Sequence, residues 1–297
     1  MKLFDPQSIW PVQAELGEGP LWLSDTQQLY FVDIRGQQIH RCDAQGQQRR
    51  SWSVPQRVGF VQPLADPVAG PKGRLIAGLK DGLYRFEEGR LVLVLQPEEN
   101  LPGNRLNDAC TDRHGHLWFG SMDDGGQLPT GSLYRVDADG QARVHDSGIS
   151  ITNGPCFSPD GKTFYHTDTM NHGVFAFDVT DAGTLQRKRL FARIQNGLPD
   201  GSAVDAAGHV WVALYAGHRI ERYAPDGRLV QSVPLPCPNV TKMAFGGPDG
   251  CTAFVTTAWQ GMRAAQRAQY PLAGNLFAFR SDTPGLPQHR ITQGFDR

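Results

Sequence analysis

Four oxygen-bearing side chains recur in one phase of this sequence. Glu18, Asn107, Asn153 and Asp200 each stand 11 or 12 positions before a large apolar residue, respectively Tyr30, Trp118, Tyr165 and Trp211. Two of the four are carboxylates and two are amides. Two buried like charges cannot share a site without a cation between them. An oxygen-rich set without His or Cys suits one hard divalent ion: Ca²⁺, Mg²⁺ or Mn²⁺ by ligand type, with Zn²⁺ and Fe²⁺ less matched. Taken singly, "GEGP" (17–20), "TNGP" (152–155) and "LPDG" (198–201) read as ordinary turns. Their shared phase is what speaks for a metal site.

The elements that would bring them together follow from an internal repeat. Tyr30, Ile76, Trp118, Tyr165, Trp211 and Phe254 lie 42 to 47 residues apart, each central to an apolar strand such as "QLYFVDI" (28–34) or "GHVWVAL" (208–214). A second strand of the type "LYRFE" follows each, and Asp-Gly turns punctuate the series at 139–140, 160–161, 226–227 and 249–250. The period is that of four-stranded propeller blades. Six like units bury one another's faces only when arranged radially. The reading is an all-β, six-bladed β-propeller of four-stranded antiparallel blades around a central channel, one domain over residues 1–297. The four phased residues then open the innermost strands and converge at one channel mouth. Leu64 and Ala65 take that place in the second repeat and supply no ligand; Thr241 and Lys242 take it in the last. Residues 7–12 are expected to complete the last blade beside "NLFAFR" (275–280). Two long loops, 122–131 and 257–274, fall on the face of the site. The second carries Trp259, Arg263 and Tyr270 and has room for a short helical turn. Phe60, Met122 and Trp259 are expected near the mouth.

Composition excludes several functions. Lys and Arg number 29 against 30 Asp and Glu, for a net charge of −1, so no basic footprint for nucleic acid exists. No apolar run is long enough for a membrane helix, and the first ten residues lack a signal-peptide core. Five cysteines, widely spaced and without a CxxC pair, read as reduced thiols of a cytoplasmic protein. Charge and apolar pattern point to no oligomeric state. No GxSxG elbow offers a serine nucleophile, and "DRHGH" (112–116) reads as a turn rather than a histidine metal site.

The segments "ELGEGPLW" (15–22), "RLNDACTDRHGHLWFGSM" (105–122), "ITNGPCFSPDGKTFYHTD" (151–168) and "LPDGSAVDAAGHVWVA" (198–213) resemble the regucalcin, gluconolactonase and sugar-lactonase family, in order and over about residues 10–280. The likeness is nearest to bacterial aldonolactonases. It implies metal ligands at Glu18, Asn153 and Asp200 and substrate contacts at Arg105 and Asn107. The family's acidic substrate-binding residue falls on Asp123 or Asp124, and Asp124 is assigned here. The implied partner is a small sugar lactone. The implied reaction is attack of water on the lactone carbonyl, with the metal as Lewis acid and Asp200 as general base. Two other readings fit the same scaffold. One is an aryl-ester or organophosphate hydrolase, whose family analogues also use a channel His without clear counterpart here. The other is a non-catalytic calcium-binding propeller.

Overall fold

A computed structural model describes residues 1–65 and 74–295 of the chain. Six four-stranded antiparallel sheets form a ring, as the repeat predicts. The innermost strands are Gly17–Leu23, Val58–Pro63, Asn104–Thr111, Thr152–Phe157, Leu198–Val204 and Asn239–Gly246. They line the channel and are buried almost throughout. The outermost strands alternate with solvent; Leu185–Arg193, for example, is largely exposed. All six repeat anchors are buried, and Ile76, Trp118, Trp211 and Phe254 are fully so. In four blades the anchor faces an arginine on the third strand: Tyr30 with Arg41, Ile76 with Arg85, Trp118 with Arg135 and Trp211 with Arg222. The guanidinium of Arg222 lies 4.8 Å from the Trp211 ring centre and that of Arg135 lies 5.5 Å from Trp118. The arginine of the "LYRFE"-type strand thus covers an aromatic that would otherwise meet water at the blade edge.

The ring closes as expected. Strand Gln7–Trp10 pairs antiparallel with Leu276–Arg280 and so forms the outer edge of the last blade. Trp10 locks it there, packing edge-on against Phe31 of the first blade at 5.3 Å. Beyond Arg280 the chain runs back across the face opposite the site. Gly285 bridges to Asp205, Ile291 bridges to Leu64, and Phe295 is buried.

One sequence expectation is corrected. Leu64 and Ala65 do not hold the phased position of the second blade; Leu64 lies past the end of the inner strand. Register puts Gln62 opposite the anchor Ile76, as Cys110 stands opposite Trp118, and three residues earlier is Gly59, the counterpart of Asn107. Counting back failed because the link between the first two strands, from Pro63 to Leu75, is longer in this blade. The conclusion that this blade gives no ligand stands on firmer ground: a Cβ at Gly59 would sit 2.5 Å from the Asn107 carbonyl oxygen.

The "DRHGH" segment is a turn at the far end of the channel. Asp112 accepts from Trp118 Nε1 at 2.9 Å and lies 3.2 Å from His116 Nδ1. The fifth blade repeats the device: Asp205 accepts from Trp211 Nε1 at 3.0 Å and Arg222 Nη2 at 2.7 Å. Burial pushes the Asp205 carboxyl up, but donors from Trp211, the His209 backbone and Arg222 outweigh it and hold it below its usual range. A carboxyl lowered on folding stabilises at neutral pH and loses that contribution as pH falls below about 4. Asp205→Asn leaves the Arg222 charge buried without its full partner, so at pH 7 a loss of about 3 kcal/mol is expected. Urea unfolding should show the gap between variant and wild type closing below about pH 4; an equal gap at both pH values would refute the ion-pair account.

Candidate metal and substrate site

The phased side chains meet because every inner strand breaks register at the same level. The ladder shifts between Glu18 and Leu21, Val58 and Phe60, Leu106 and Ala109, Asn153 and Cys156, Pro199 and Ser202, and Val240 and Lys242. Each bulge interrupts strict alternation and re-aims a side chain at the axis. Glu18, Asn107, Asn153 and Asp200 thereby line one cavity of about 230 Å³, together with Arg105 and Asp124. All six predicted site residues are in it. Asp123, the other acidic candidate, is not: it accepts from the Gln127 and Leu128 backbones at 2.9 and 3.1 Å and shapes the loop.

An amide relay ties the ring across three blades. Arg105 Nη1 donates to Asn107 Oδ1 at 2.6 Å. Asn107 Nδ2 donates to Asn153 Oδ1 at 2.8 Å and to the Thr152 carbonyl at 2.6 Å. Asn153 Nδ2 donates to Thr169 Oγ1 at 2.9 Å, and Thr169 donates to the Pro199 carbonyl next to Asp200. Each amide is therefore fixed in orientation, with the Asn153 oxygen on the cavity side of the relay.

The two carboxylates are left differently. Among the described residues Glu18 accepts only from the Gly19 backbone, at 2.8 Å. Nothing among the described residues donates a hydrogen bond to Asp200. Burial, then the charge of Asp108, pushes Glu18 up to about 7. Burial, then Glu18 and Asp108, pushes Asp200 well above its usual range. Two buried acids in one cavity, Asp200 raised by Glu18 and both raised by Asp108, make a place for a cation. No three His, Cys, Asp or Glu side chains gather to hold a metal among the described residues, so an ion here would need the amide oxygen of Asn153 as well. The donor set of Glu18, Asn153 and Asp200 fits a hard divalent ion.

Below the ring lies a layer of which counting back reached Lys242 but not its partner Asp108. Asp108 follows Asn107 in the bulge and pairs with Lys242 from the last blade; both are buried. Asp108 also accepts from the Gly154 backbone at 2.9 Å. Gly201 has no side chain because Lys242 occupies the space its Cβ would take. Reading the residue after each ring position would have found this pair: Gly19, Phe60, Asp108, Gly154, Gly201, Lys242.

At the cavity rim Asp124 gathers three cations. Arg57 bonds it directly, Lys80 Nζ stands 3.3 Å away and Arg105 Nε 3.3 Å away. Burial lowers Arg105 to about 10, against the support of Asp124, so it stays charged at neutral pH. Arg35 and Tyr215, also unforeseen, line the same cavity. Both long loops reach it, through Asp124 to Gly126 and through Gln260, and the second contains the short helix Ala264–Gln269. Met122 lines the cavity, but two other apolar expectations fail. Phe60 is buried in the core against Phe119, where Gly78 leaves it room. Trp259 turns away to donate to the Gln13 carbonyl, with Arg267 over its ring.

Sequence and fold are shared with known proteins. The profile described as SMP-30/Gluconolactonase/LRE-like region matches residues 16–259. The chain is 35% identical to the 6-deoxy-6-sulfogluconolactonase of Pseudomonas putida, over 92% of this chain and 94% of that protein. It is 34% identical to the L-arabinolactonase of Azospirillum brasilense, over 93% and 92%. The crystal structure of a calcium-binding protein, regucalcin, from Agrobacterium tumefaciens superposes with a TM-score of 0.90 at 26% identity, covering 98% of this chain and 99% of that one.

The raised acids have a consequence for stability. A carboxyl raised on folding binds more protons folded than unfolded, so stability falls as pH rises from its unfolded value towards its folded one. With chelator present, the melting temperature is expected to fall between pH 4.5 and about 7, the interval over which Glu18 is shifted. Glu18→Gln should flatten that slope. A wild-type slope unchanged in the variant would count against a Glu18 buried with its charge unbalanced.

Proposed function

The chain belongs to the SMP-30/gluconolactonase/LRE-like family, and from its site we propose that it hydrolyses the ring ester of sugar lactones to aldonic acids in carbohydrate breakdown. The observation that carries this reading is Asp200: a buried carboxylate to which none of the described residues donates a hydrogen bond, lining with Glu18 a cavity that also holds a buried arginine. The cavity is smaller than the roughly 300–1,000 Å³ of sites for drug-sized ligands, in keeping with a small polar substrate. The lactonase names of the relatives from Pseudomonas putida and Azospirillum brasilense support the same chemistry.

Glu18, Asn153 and Asp200 would hold one divalent ion; Ca²⁺ has the support of the regucalcin likeness, and Mg²⁺, Mn²⁺, Zn²⁺ and Fe²⁺ satisfy parts of the same donor chemistry. When bound, the ion would supply Lewis-acid polarisation of the lactone carbonyl. The chain's own residues do the rest. An Asp200 oxygen accepts the proton of the attacking water, its raised affinity for protons suiting it to that task. Arg105 presents donors to the sugar hydroxyls and to the carboxylate that forms on ring opening. Asn107, held at both ends of its amide, sets the Arg105 and Asn153 orientations. Asp124 aims Arg105 from the rim. The five free thiols support a reducing, cytoplasmic setting, and no helix among the described residues is long and apolar enough to cross a membrane.

The aryl-ester alternative loses its support with the removal of Phe60 and Trp259 from the pocket. The test is proton release at near-neutral pH over a panel of aldonolactones, with chelated enzyme and with each ion restored. Metal-restored turnover is expected, and Asp200→Asn should lower kcat by at least about a hundredfold, the scale of general-base catalysis. Tight Ca²⁺ binding without turnover of any lactone would replace the hydrolase with a calcium-binding propeller.

A further inference from the structure

We propose that the lactone taken by this site carries a fixed negative charge, a sulfonate, phosphate or carboxylate, on the part of the sugar remote from the ring ester. The inference rests on the lactone reading above and narrows it to a substrate class.

The cavity is charged unevenly. Asn153 and Asp200 come from the fourth and fifth blades. Three arginines, Arg35, Arg57 and Arg105, line it on the side of the first three blades, and Lys80 reaches Asp124 from outside the lining. Two carboxylates line this side: Glu18 makes no ion pair among the described residues, and Asp124 alone serves Arg57, Lys80 and Arg105. Arg35 has no carboxylate partner among the described residues. Its neighbour is neutral: with the amide of Gln260 oriented to satisfy both its atoms, the oxygen accepts from Arg35 Nε at 2.8 Å and Nη2 at 3.1 Å. Arg57 gives one nitrogen, Nη1, to Asp124, and the rest of its fork has no acceptor among the described residues. Arg57, which lines the cavity, remains 30% exposed, open to a ligand rather than sealed in the core.

A neutral sugar lactone does not need this wall. Its hydroxyls are served by neutral donors, and the single carboxylate released on ring opening is served by Arg105. Gathering three more cations is unfavourable in itself: Arg57 and Arg35 both work against the protonation of Arg105. An anionic substituent offsets that repulsion and offers several oxygens to guanidinium forks. It also orients the molecule, placing the charged tail towards Arg35 and Arg57 and the ester towards Asn153 and Asp200.

The experiment compares kcat/KM for glucono-1,5-lactone, its 6-phosphate, its 6-sulfonate analogue and glucaro-1,4-lactone, corrected for spontaneous opening, at low salt and at raised salt. Wild type, Arg35→Gln and Arg57→Gln are measured, each checked for an unchanged melting temperature. At least one charged lactone is expected to exceed the neutral one by about tenfold, the scale of one charge-assisted hydrogen bond, and the rank order identifies the anion. The advantage should shrink in salt. Each variant should lower kcat/KM for that lactone at least about tenfold more than for the neutral one. A neutral lactone turned over as well as the charged ones, or variants that lower all lactones equally, overturns the proposal and leaves the lactonase intact. Calorimetric binding of the unreactive 6-phosphogluconate and its 6-sulfonate and 6-carboxylate counterparts runs alongside. If no lactone opens, binding of one of them weakened by Arg35→Gln sustains the anion site and removes only the hydrolytic reading; absence of binding overturns both.

Discussion

Three carboxylates share the channel of this propeller, and the rest of the site depends on how their charge is managed. One of them, Asp108, is answered within the chain by Lys242, from a blade far away in sequence. The other two, Glu18 and Asp200, have no ion-pair partner among the described residues, and under the proposed function an external cation would answer them. Burial of charge without compensation is among the costliest arrangements open to a protein. The arrangement persists because the inner strands hold the carboxylates in place whether or not it is locally favourable. Six blades packed face to face supply that rigidity, and each strand needs only one bulge to turn the right side chain inward.

Backbone and side chains divide this work. Gly59 lets the second inner strand approach the third until its hydrogens nearly touch the Asn107 and Leu106 carbonyls. The amide relay from Arg105 through Asn107 and Asn153 to Thr169 then transmits one blade's position to the next. A ligand set drawn from three separate blades is thus held as firmly as one drawn from a single strand, and a site pre-ordered in this way loses little entropy on binding.

Much of this was legible in the sequence because a propeller repeats. The anchors recur at the blade period, and the ring residues keep their distance from them wherever the first turn keeps its length. The second blade broke the count: its longer link between Pro63 and Leu75 shifted the phase and pointed to Leu64 instead of Gly59. Asp108, and with it the pairing of Lys242, escaped for a different reason. Strict alternation sends neighbours to opposite faces, and the bulge suspends that rule at this level alone. Arg35, Arg57 and Lys80 were out of reach because each belongs to a different loop or strand end. Only the ring brings them to Asp124 and Gln260. Phe60 and Trp259 were misplaced because nearness to the mouth along the chain does not fix the direction of a side chain. Close packing decided that, with the absent side chain of Gly78 making the space Phe60 fills.

The strand Gln7–Trp10 belongs to the same sheet as Leu276–Arg280, so the earliest and nearly the latest parts of the chain complete one blade. During synthesis that blade has to wait. The first strand emerges with its partner some 270 residues behind, and until then the faces that the last blade covers, with Trp22, Leu29 and Phe31 on the first blade and Trp211, Ile220 and Val233 on the fifth, lie open. Contacts of such sequence separation are slow to form. The protein therefore passes through an incomplete, sticky arc on its way to the ring, and the cell's chaperones meet that arc before any substrate meets the site.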